Sequence, residues 1–239
     1  MIAITDLTVR FGGVTSLDGV TVTLESPLTG LIGPNGAGKT TFFNVLSGFV
    51  EPSSGSVQVL GTDLLDMTHF KRARWGLRRT FQTEQAIEEL SVFDNVAMVW
   101  EHAARRSANT RRQDILGAIS FVGLDTAPDA RVGSLSTHER RLVELARAVV
   151  GSPRLVLLDE PAAGLPEEET AQMGQVIHRI PDEIGALVIL ADHDMGLVSG
   201  CCSMALVLDF GHVIANGPTS EVLRDERVVS AYLGLAEET

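Results

Sequence analysis

The sequence predicts an α/β fold in which buried parallel strands alternate with helices and a long helical segment interrupts the series. Short apolar runs at Leu155–Asp159, 186–191 and Met204–Asp209 have the length and composition of buried parallel strands. Another apolar run, Leu28–Ile32, ends in a glycine-rich turn that leads into a helical pattern. Residues 81–150, in contrast, contain three helical stretches that no strong strand pattern separates.

Length and composition fit a globular protein with one large domain or a core carrying an inserted subdomain. The 239 residues are 44% hydrophobic and 21% charged, and no apolar run approaches the ~20 residues that span a bilayer. The N-terminus lacks the basic start and long apolar segment of a secretion signal, so we expect a protein on the cytoplasmic side. Adjacent Cys201 and Cys202 form no disulfide framework or metal-ligand pattern and are expected to be small residues near the core.

The charge of the chain is unevenly distributed. The net charge of −12 argues against bare nucleic acid as the main partner. Residues 69–150 nevertheless hold 13 of the 19 Lys and Arg residues and carry a net charge of +3. This basic segment is either a solvated helical surface or a surface with a docking role, and charge alone does not decide between them.

The remaining pattern predicts individual elements and a division into domains. We expect strands at 2–9, 20–25 and 56–60, and helices at 40–46 (stopped by Gly48), 92–105, 111–122, 137–150 and 167–179 (ended by Pro181). We expect residues 1–80 and 151–239 to form a core, and residues 81–150 to form a helical subdomain inserted into it.

A phosphate-binding loop is predicted at residues 33–40, which read GPNGAGKT and fit the pattern G-x-x-x-x-G-K-[ST] between a strand and a helix. Glycines allow backbone N–H groups to converge on phosphate oxygens, and the helix N-terminus adds positive potential. Lys39 supplies a charge to the β and γ phosphates, and the Thr40 hydroxyl is a ligand for Mg²⁺. The predicted nucleotide-binding residues here are Asn35, Gly36, Ala37, Gly38, Lys39, Thr40 and Thr41.

Two carboxylates end the apolar run Leu155–Asp159. Ligand chemistry gathers at the carboxyl ends of parallel strands, so Asp159 is placed to hold the metal ion, and Glu160 to polarise the water that attacks the γ-phosphate. A strand that simply stops at a charged turn would explain the same residues. The phosphate loop in the same chain favours the catalytic interpretation.

The phosphate loop, the LLDEP run at 157–161 and the Leu135-Ser136 segment before a helix resemble the ATP-binding cassette (ABC) ATPases over nearly the whole chain. This resemblance implies a P-loop NTPase core with an N-terminal antiparallel β part and an inserted α-helical subdomain. It also implies Mg-ATP hydrolysis. Phe11 corresponds to the aromatic residue that stacks on adenine, and His193 to the histidine that contacts the γ-phosphate. Gln82 corresponds to the glutamine that reaches the metal and the nucleophilic water, and residues 162–165 to the loop that crosses the dimer interface.

Several stretches are similar to the ATPase subunits of branched-chain amino-acid importers and of related importers of urea and amides: RTFQ, SVFDNV, DEPAAGL, DHDM and the ending ANGPTSEVLRDERVVSAYLG. The resemblance implies a pair of ATPase subunits under two membrane permeases on the cytoplasmic face, with an external binding protein that delivers the solute. It places a membrane-subunit groove beside Gln82, where apolar residues lie among charged ones. These residues are Phe81, Ile87, Leu90, Val92 and Phe93, and they are alternatively core residues of the helical insertion.

The signature segment departs from the family pattern. The family reads Leu-Ser-Gly-Gly-Gln, or Leu-Ser-Tyr-Gly-Gln in this subfamily, whereas residues 135–140 read LSTHER. In the family, the residue matching Ser136 meets the partner's γ-phosphate. His138 replaces a glycine there, which either obstructs the phosphate, offers a donor or is harmless. Ser136-x-x-Glu139 also predicts a capping box, in which Glu139 folds back onto the Ser136 N–H.

Three functions fit these observations: an active importer ATPase, a regulatory or structural subunit that binds ATP with little turnover, and a DNA-repair or translation-factor cassette. The intact Lys39, Asp159, Glu160 and His193 favour the first. The altered signature leaves the second open. The third fits poorly, because repair members carry a long coiled-coil insertion and translation-factor members carry two cassettes.

Overall fold

A computed structural model describes residues 1–102 and 108–233 of the chain. These residues divide into two compact units, one formed by Met1–Arg72 with Ile189–Thr239 and the other by Ala73–Val188. The domain boundaries expected from the sequence stay a prediction. No helix of the described residues is long and apolar enough to cross a lipid bilayer.

Ten strands and nine α-helices make up the described chain. The strands are β1 (Ile2–Phe11), β2 (Val14–Leu24), β3 (Leu28–Ile32), β4 (Ser54–Val59), β5 (Thr62–Asp63), β6 (Leu77–Arg79), β7 (Leu155–Asp159), β8 (Leu187–Ala191), β9 (Met204–Asp209) and β10 (His212–Pro218). The helices are α1 (Lys39–Ser47), α2 (His69–Trp75), α3 (Val92–Glu101), α4 (Arg111–Phe121), α5 (Thr137–Val149), α6 (Glu167–Arg179), α7 (Met195–Cys201), α8 (Thr219–Val222) and α9 (Glu226–Leu233).

The first unit contains the expected antiparallel β part, a sheet of order β2-β1-β4-β5. β1 pairs with β2 (Ile2 opposite Leu24) and with β4 (Ile2 opposite Val59), both antiparallel. Apolar residues on one face of these strands are buried, as period-2 alternation requires. Leu60 and Gly61 link β4 to β5 with positive φ angles of 50° and 75°, the geometry of a tight hairpin turn.

The first unit also holds the strand that leads into the phosphate loop. β3 is buried at all five positions and pairs in parallel with β9, whose other neighbour is the antiparallel β10. A side chain at Gly30 would place its Cβ 2.6 Å from Val198, so helix α7 requires a glycine in the middle of β3. This packing fixes where β3 ends and where the phosphate loop begins. Cys201 and Cys202 are buried beside it, as expected.

The second unit combines a parallel strand pair with the helical segment. β6 runs parallel to β7 in the register Leu77 opposite Leu155. Helices α3, α4 and α5, which lie between these strands in sequence, pack on one another. They confirm the predicted helices, although α3 ends at Glu101, and residues 103–105 of the helix expected at 92–105 lie outside the described residues.

The boundaries of most predicted elements differ from expectation by a few residues. The start of β2 and the residues after α6 differ for reasons that the structure explains. β2 begins at Val14 rather than at residue 20, because it continues the hairpin with β1 to the Phe11–Val14 pair. Helix α6 ends at Arg179 as expected, but Pro181 then lies in a π-helical turn, Ile180–Ile184. Proline has no N–H for the α-helical bond, so the turn widens and ends at Gly185, whose φ is 79°.

Candidate functional site

The phosphate loop directly follows β3, and its backbone requires glycine at two positions. Gly33 has a φ of 152°, and a Cβ there would lie 2.1 Å from the Leu208 carbonyl oxygen. Gly38, at the N-terminus of α1, has a φ of 105°, and its Cβ would lie 2.8 Å from the Ser16 carbonyl oxygen. Strand β9 and the start of β2 therefore press on the loop at both ends and fix its path.

The lysine of the loop folds back over the loop backbone. Lys39 Nζ donates to the carbonyl oxygens of Gly33, at 2.5 Å, and of Pro34, at 3.0 Å. Asn35, Gly36 and Thr40 are exposed, and Ala37 is buried. The Thr41 hydroxyl lies 2.7 Å from the Ser16 hydroxyl, which ties the first turn of α1 to β2. The loop thus presents an ammonium group, backbone amides and a threonine hydroxyl, the donor set that a triphosphate requires.

Two further predicted residues of this unit present their side chains to solvent. Phe11 ends β1 and is 51% exposed, which is uncommon for a phenylalanine and leaves its ring available for stacking. The His193 side chain is 64% exposed, and its Nδ1 lies 3.7 Å from Oδ1 of the buried Asp192. Asp192 Oδ1 also accepts from the Asp194 N–H, so this carboxylate shapes the turn that carries the histidine.

In the second unit, Asp159 at the end of β7 forms an ion pair that no sequence pattern predicted. Arg79 Nη2 donates to Asp159 Oδ2 at 2.9 Å, with the two side chains only 5% and 14% exposed. The neighbouring parallel strand supplies this contact, because Arg79 is in register with Leu157. The Thr80 hydroxyl accepts from the Asp159 N–H at 3.0 Å, and the guanidinium lies 4.9 Å from the centre of the Phe81 ring. No local sequence pattern indicated this pair, because it depends on the pairing of β6 with β7.

Glu160 stands directly after this strand in an unusual conformation. Its φ is 46°, in the left-handed region that non-glycine residues rarely adopt. Gln82 Nε2 donates to Glu160 Oε2 at 3.0 Å. The structure therefore brings together the two side chains that were predicted to meet the attacking water, on a backbone that holds the carboxylate in a strained position.

The signature segment forms the predicted capping box. The Ser136 hydroxyl accepts from the Glu139 N–H at 3.2 Å, and the Ser136 N–H donates to Glu139 Oε2 at 2.8 Å. The Thr126 hydroxyl donates to the other oxygen, Oε1, and this hydrogen bond is the main cause that lowers the pKa of Glu139. His138 Nε2 is buried with no hydrogen-bond partner among the described residues. A carboxylate thus sits at the N-terminus of α5.

Helix α5 also holds the segment that follows Gln82. Glu144 accepts from the Gln85 N–H at 3.2 Å and from Arg147 Nη1 at 2.5 Å, and burial raises the pKa of this carboxyl. Arg140 and Arg141 each approach a Glu84 oxygen at 3.8 Å. The arginines of α5 therefore form ion pairs with carboxylates of the same unit. For the remaining basic residues of 69–150, the solvated surface and the docking surface both stay predictions.

Comparison with known proteins assigns the family. A sequence model of the ABC transporter family matches residues 17–163. The chain belongs to the ABC transporter family. As an ABC ATPase, it has the P-loop core, the antiparallel β part and the helical insertion that the resemblance implied, and it binds and hydrolyses ATP.

Relatives of this ABC ATPase extend over almost its full length. It is 32% identical to the high-affinity branched-chain amino acid transport ATP-binding protein BraF of Pseudomonas aeruginosa, over 99% of this chain and 98% of BraF. It is 34% identical to the lipopolysaccharide export system ATP-binding protein LptB of Escherichia coli, over 91% of this chain and 90% of LptB. Among solved structures, the ADP conformation of MJ1267, an ATP-binding cassette of an ABC transporter, superposes with a TM-score of 0.87 at 25% identity, covering 98% of both chains.

Proposed function

We propose that this chain is the ATP-hydrolysing subunit of an importer and drives the uptake of a small solute such as a branched-chain amino acid. The similarity to BraF, which covers 99% of this chain, carries the proposal. The stretches named in the sequence analysis, including RTFQ and the C-terminal ending, support the same subfamily. In this proposal the chain lies on the cytoplasmic face of the membrane, bound to permease subunits.

The phosphate loop binds the triphosphate of ATP in this proposal. Lys39 is already held against the loop carbonyls of Gly33 and Pro34, so its charge is in place when the phosphates arrive. The exposed ring of Phe11 stacks on adenine. Asn35, Gly36, Ala37, Gly38, Thr40 and Thr41 complete the loop around the phosphates.

Three predicted residues are proposed as ligands of a magnesium ion because each offers an oxygen donor. The Thr40 hydroxyl, the Asp159 carboxylate and the Gln82 side-chain oxygen are the hard donors that Mg²⁺ prefers, and phosphate oxygens and water complete such sites. Held by these residues, a magnesium ion would supply positive charge against the β and γ phosphates. The Asp159 carboxylate pairs with the nearly buried guanidinium of Arg79, so a metal ion bound there would compete with this counter-charge.

Glu160, His193 and Ser136 act on the γ-phosphate in this proposal. Glu160 orients the attacking water and receives its proton, with Gln82 keeping the carboxylate in place through the bond at 3.0 Å. His193 contacts the γ-phosphate on the same chain. Ser136 contacts the γ-phosphate bound by the second ATPase subunit of a homodimer or heterodimer.

Transport by the assembled complex tests this function. The chain would be purified with its co-expressed permeases, reconstituted in vesicles, and supplied with ATP, labelled leucine and the external binding protein. ATP-dependent leucine accumulation that stops in a Glu160→Gln complex supports the proposal. The similarity to LptB makes lipid export the competing outcome, which would appear as ATP-dependent release of lipopolysaccharide and no solute uptake.

Contact with a permease is tested separately. The Glu88 side chain is 64% exposed and lies on the segment expected to dock, so a cysteine at this position should crosslink to a permease in the active complex. A cysteine at the exposed Glu51, outside that segment, is the control. Absence of a Glu88-specific crosslink in an active transporter contradicts this docking site.

The closed signature segment favours one second candidate, a regulatory subunit that binds ATP with little turnover. Glu139 is fixed at the N-terminus of α5 by Ser136 and Thr126, where the family presents backbone donors to a phosphate. A single-turnover assay with the purified complex separates the two functions. Stoichiometric hydrolysis that depends on Glu160 of this chain supports the active ATPase. Because the signature segment faces the partner's phosphate, retention of intact ATP in a complex where this chain pairs with itself supports the regulatory subunit.

A further inference from the structure

The phosphate loop is bonded to the far end of the chain by the protein's single tyrosine. Tyr232 lies on the last turn of α9, and its hydroxyl oxygen accepts a hydrogen bond from the Gly33 N–H at 2.6 Å. The two residues are 199 positions apart in sequence. The contact is local to the unit that contains both chain ends.

Gly33 is held by several groups at once. Its N–H donates to Tyr232, its carbonyl accepts from Lys39 Nζ, and the Leu208 carbonyl lies where a Cβ would be. Tyr232 is half-buried, and burial raises the pKa of its hydroxyl, so it is protonated and uncharged at neutral pH. A neutral hydroxyl can accept the amide hydrogen bond without adding a charge that would repel phosphate.

Helix α9 is a firm support for this hydroxyl. Val228 on α9 is only 2% exposed, and the helix packs on β10. Asp225 directly precedes the helix, and its carboxylate accepts from the Arg227 N–H at 2.9 Å. The tyrosine therefore projects from an anchored helix.

We propose that Tyr232 is a positioning residue for the phosphate loop and that α9 thereby sets nucleotide affinity. The proposal rests on the assignment of residues 33–40 as the phosphate loop. With the hydrogen bond, the first residue of the loop is ordered before ATP binds. Without it, the free energy of ATP binding is less favourable, because Gly33 must be ordered on binding and its N–H lacks this acceptor.

The coupling is reciprocal. A contact that favours the nucleotide-binding arrangement of the loop must itself be favoured when nucleotide binds. Bound ATP therefore strengthens the contact between Gly33 and the Tyr232 hydroxyl, and the C-terminal helix reports the nucleotide state of the loop.

Tyr232→Phe in the full chain tests the affinity claim by removing one oxygen atom. Calorimetry with Mg-ATP should show binding weakened about two- to tenfold, the effect of one neutral hydrogen bond. In the assembled transporter, KM for ATP should rise by a similar factor while kcat stays nearly constant, because the loop binds substrate and transition state alike. Val229→Ala, on an exposed position of the same helix, is the matched control and should bind like wild type.

Lys39→Ala separates this inference from the assignment of the loop. If Lys39→Ala binds ATP as wild type does, the phosphate-loop assignment fails. If Lys39→Ala binds weakly and Tyr232→Phe binds as wild type does, the positioning role of Tyr232 fails while the loop assignment stands. Equal weakening by Val229→Ala and Tyr232→Phe would also overturn it, because the effect would then belong to helix α9 in general.

A spectroscopic measurement tests the positioning role of Tyr232 even if Tyr232→Phe does not fold. Because the chain has one tyrosine, incorporation of 3-fluorotyrosine gives a single ¹⁹F resonance. We expect this resonance to shift when Mg-ATP is added to wild type, and to stay in place when Mg-ATP is added to Lys39→Ala at the same concentration. A resonance that does not respond to saturating nucleotide in wild type overturns the proposal.

Discussion

At the scale of single residues, backbone strain at Glu160 is informative. A φ of 46° costs a non-glycine residue of order 1–3 kcal/mol, and such strain persists where the surrounding structure imposes it. Here β7 fixes the residue before it, and the Ala163 N–H donates to the Glu160 carbonyl at 3.1 Å. Gln82 holds the side chain. Strand, turn and side-chain contact together fix the position of the carboxylate that we propose orients the attacking water molecule.

The first prediction follows for Glu160→Gln. The amide oxygen of glutamine can still accept the Gln82 hydrogen bond, so the turn and ATP binding should be retained, but the side chain cannot take a proton. Turnover should fall by at least about 10²-fold, the usual contribution of a general base. Phosphate release by the complex and ATP affinity by calorimetry measure the two effects. Wild-type turnover would remove Glu160 from the mechanism.

The ion pair between Arg79 and Asp159 gives a second residue-scale prediction. In Arg79→Met, without nucleotide and in EDTA, the nearly buried Asp159 carboxylate loses its counter-charge, which should lower the free energy of unfolding by about 3 kcal/mol. Added Mg²⁺ should then stabilise the variant more than wild type, because the metal meets no competing guanidinium.

Urea unfolding measures both effects. The control is Arg111→Met, which breaks the exposed pair with Glu101 and should cost less than about 1 kcal/mol. Equal losses in the two variants, or equal stabilisation of Arg79→Met and wild type by Mg²⁺, would show that the guanidinium does not balance the charge of the proposed metal ligand.

At the scale of elements, helix α5 contacts several segments of its unit. Its N-terminus carries the signature segment, its first turns contact Glu84 through Arg140 and Arg141, and Glu144 holds the Gln85 N–H. Arg141 Nη2 also donates to the Ala163 carbonyl at 3.3 Å, in the loop after Glu160. One helix thus connects the signature segment with the segments that carry Gln82 and Glu160.

The contribution of the α5 capping box to the free energy of unfolding should depend on pH. Glu139 has a lowered pKa in the folded protein, so the stability it contributes is present above its unfolded value of 4.5 and is lost as pH falls through the folded value. Glu139→Ala should therefore lose about 1 kcal/mol at pH 7, and the gap to wild type should narrow below pH 4.5. Urea unfolding at several pH values checks this expectation, with the exposed Glu51→Ala as control. A gap that is constant with pH contradicts the ionic cap.

Elements differed in how far sequence could predict them. Runs such as β7 and β9 and the amphipathic α5 carry strong local patterns and were predicted to within a residue or two. The three-residue β6 was missed, because its strand character comes from pairing with β7, some 78 residues away in sequence. The C-terminal α9 was recognised only as a family-like ending, since eight residues carry little periodic signal.

At the scale of the whole molecule, the same limit applies to the candidate site. Motifs with fixed local spacing named Lys39, Thr40, Asp159 and Glu160, because phosphate and metal chemistry demands those residue types together. Arg79 and Tyr232 were not named, since their partners lie 80 and 199 positions away in sequence. Their roles depend on the register of strands and the packing of a helix, which local patterns do not encode.

We expect the altered signature to make an ATPase dimer asymmetric if this chain pairs with a related ATPase. This chain has the groups expected to bind and cleave its own ATP, but it offers a partner the segment containing His138 and Glu139. If it pairs with a related ATPase whose signature contains glycine, the site on this chain's phosphate loop receives an intact signature and hydrolyses ATP. The opposite site receives a bulkier segment with a carboxylate at the helix N-terminus and is slow. If it pairs with itself, both sites receive the altered segment.

The variant His138→Gly, alone and combined with Glu139→Gln, tests this asymmetry in the reconstituted complex. Glycine removes a side chain from where a phosphate must approach backbone donors, and glutamine removes the negative charge that the capping box fixes there. Losing one such donor costs roughly 10²–10³ in rate, so the double variant should raise the ATPase rate of the slow site markedly, and the single variant should raise it less. Single-turnover hydrolysis measured per site is the readout. An unchanged rate in both variants would show that the substitutions are neutral, and a lower rate in His138→Gly would mean that the imidazole itself serves the phosphate.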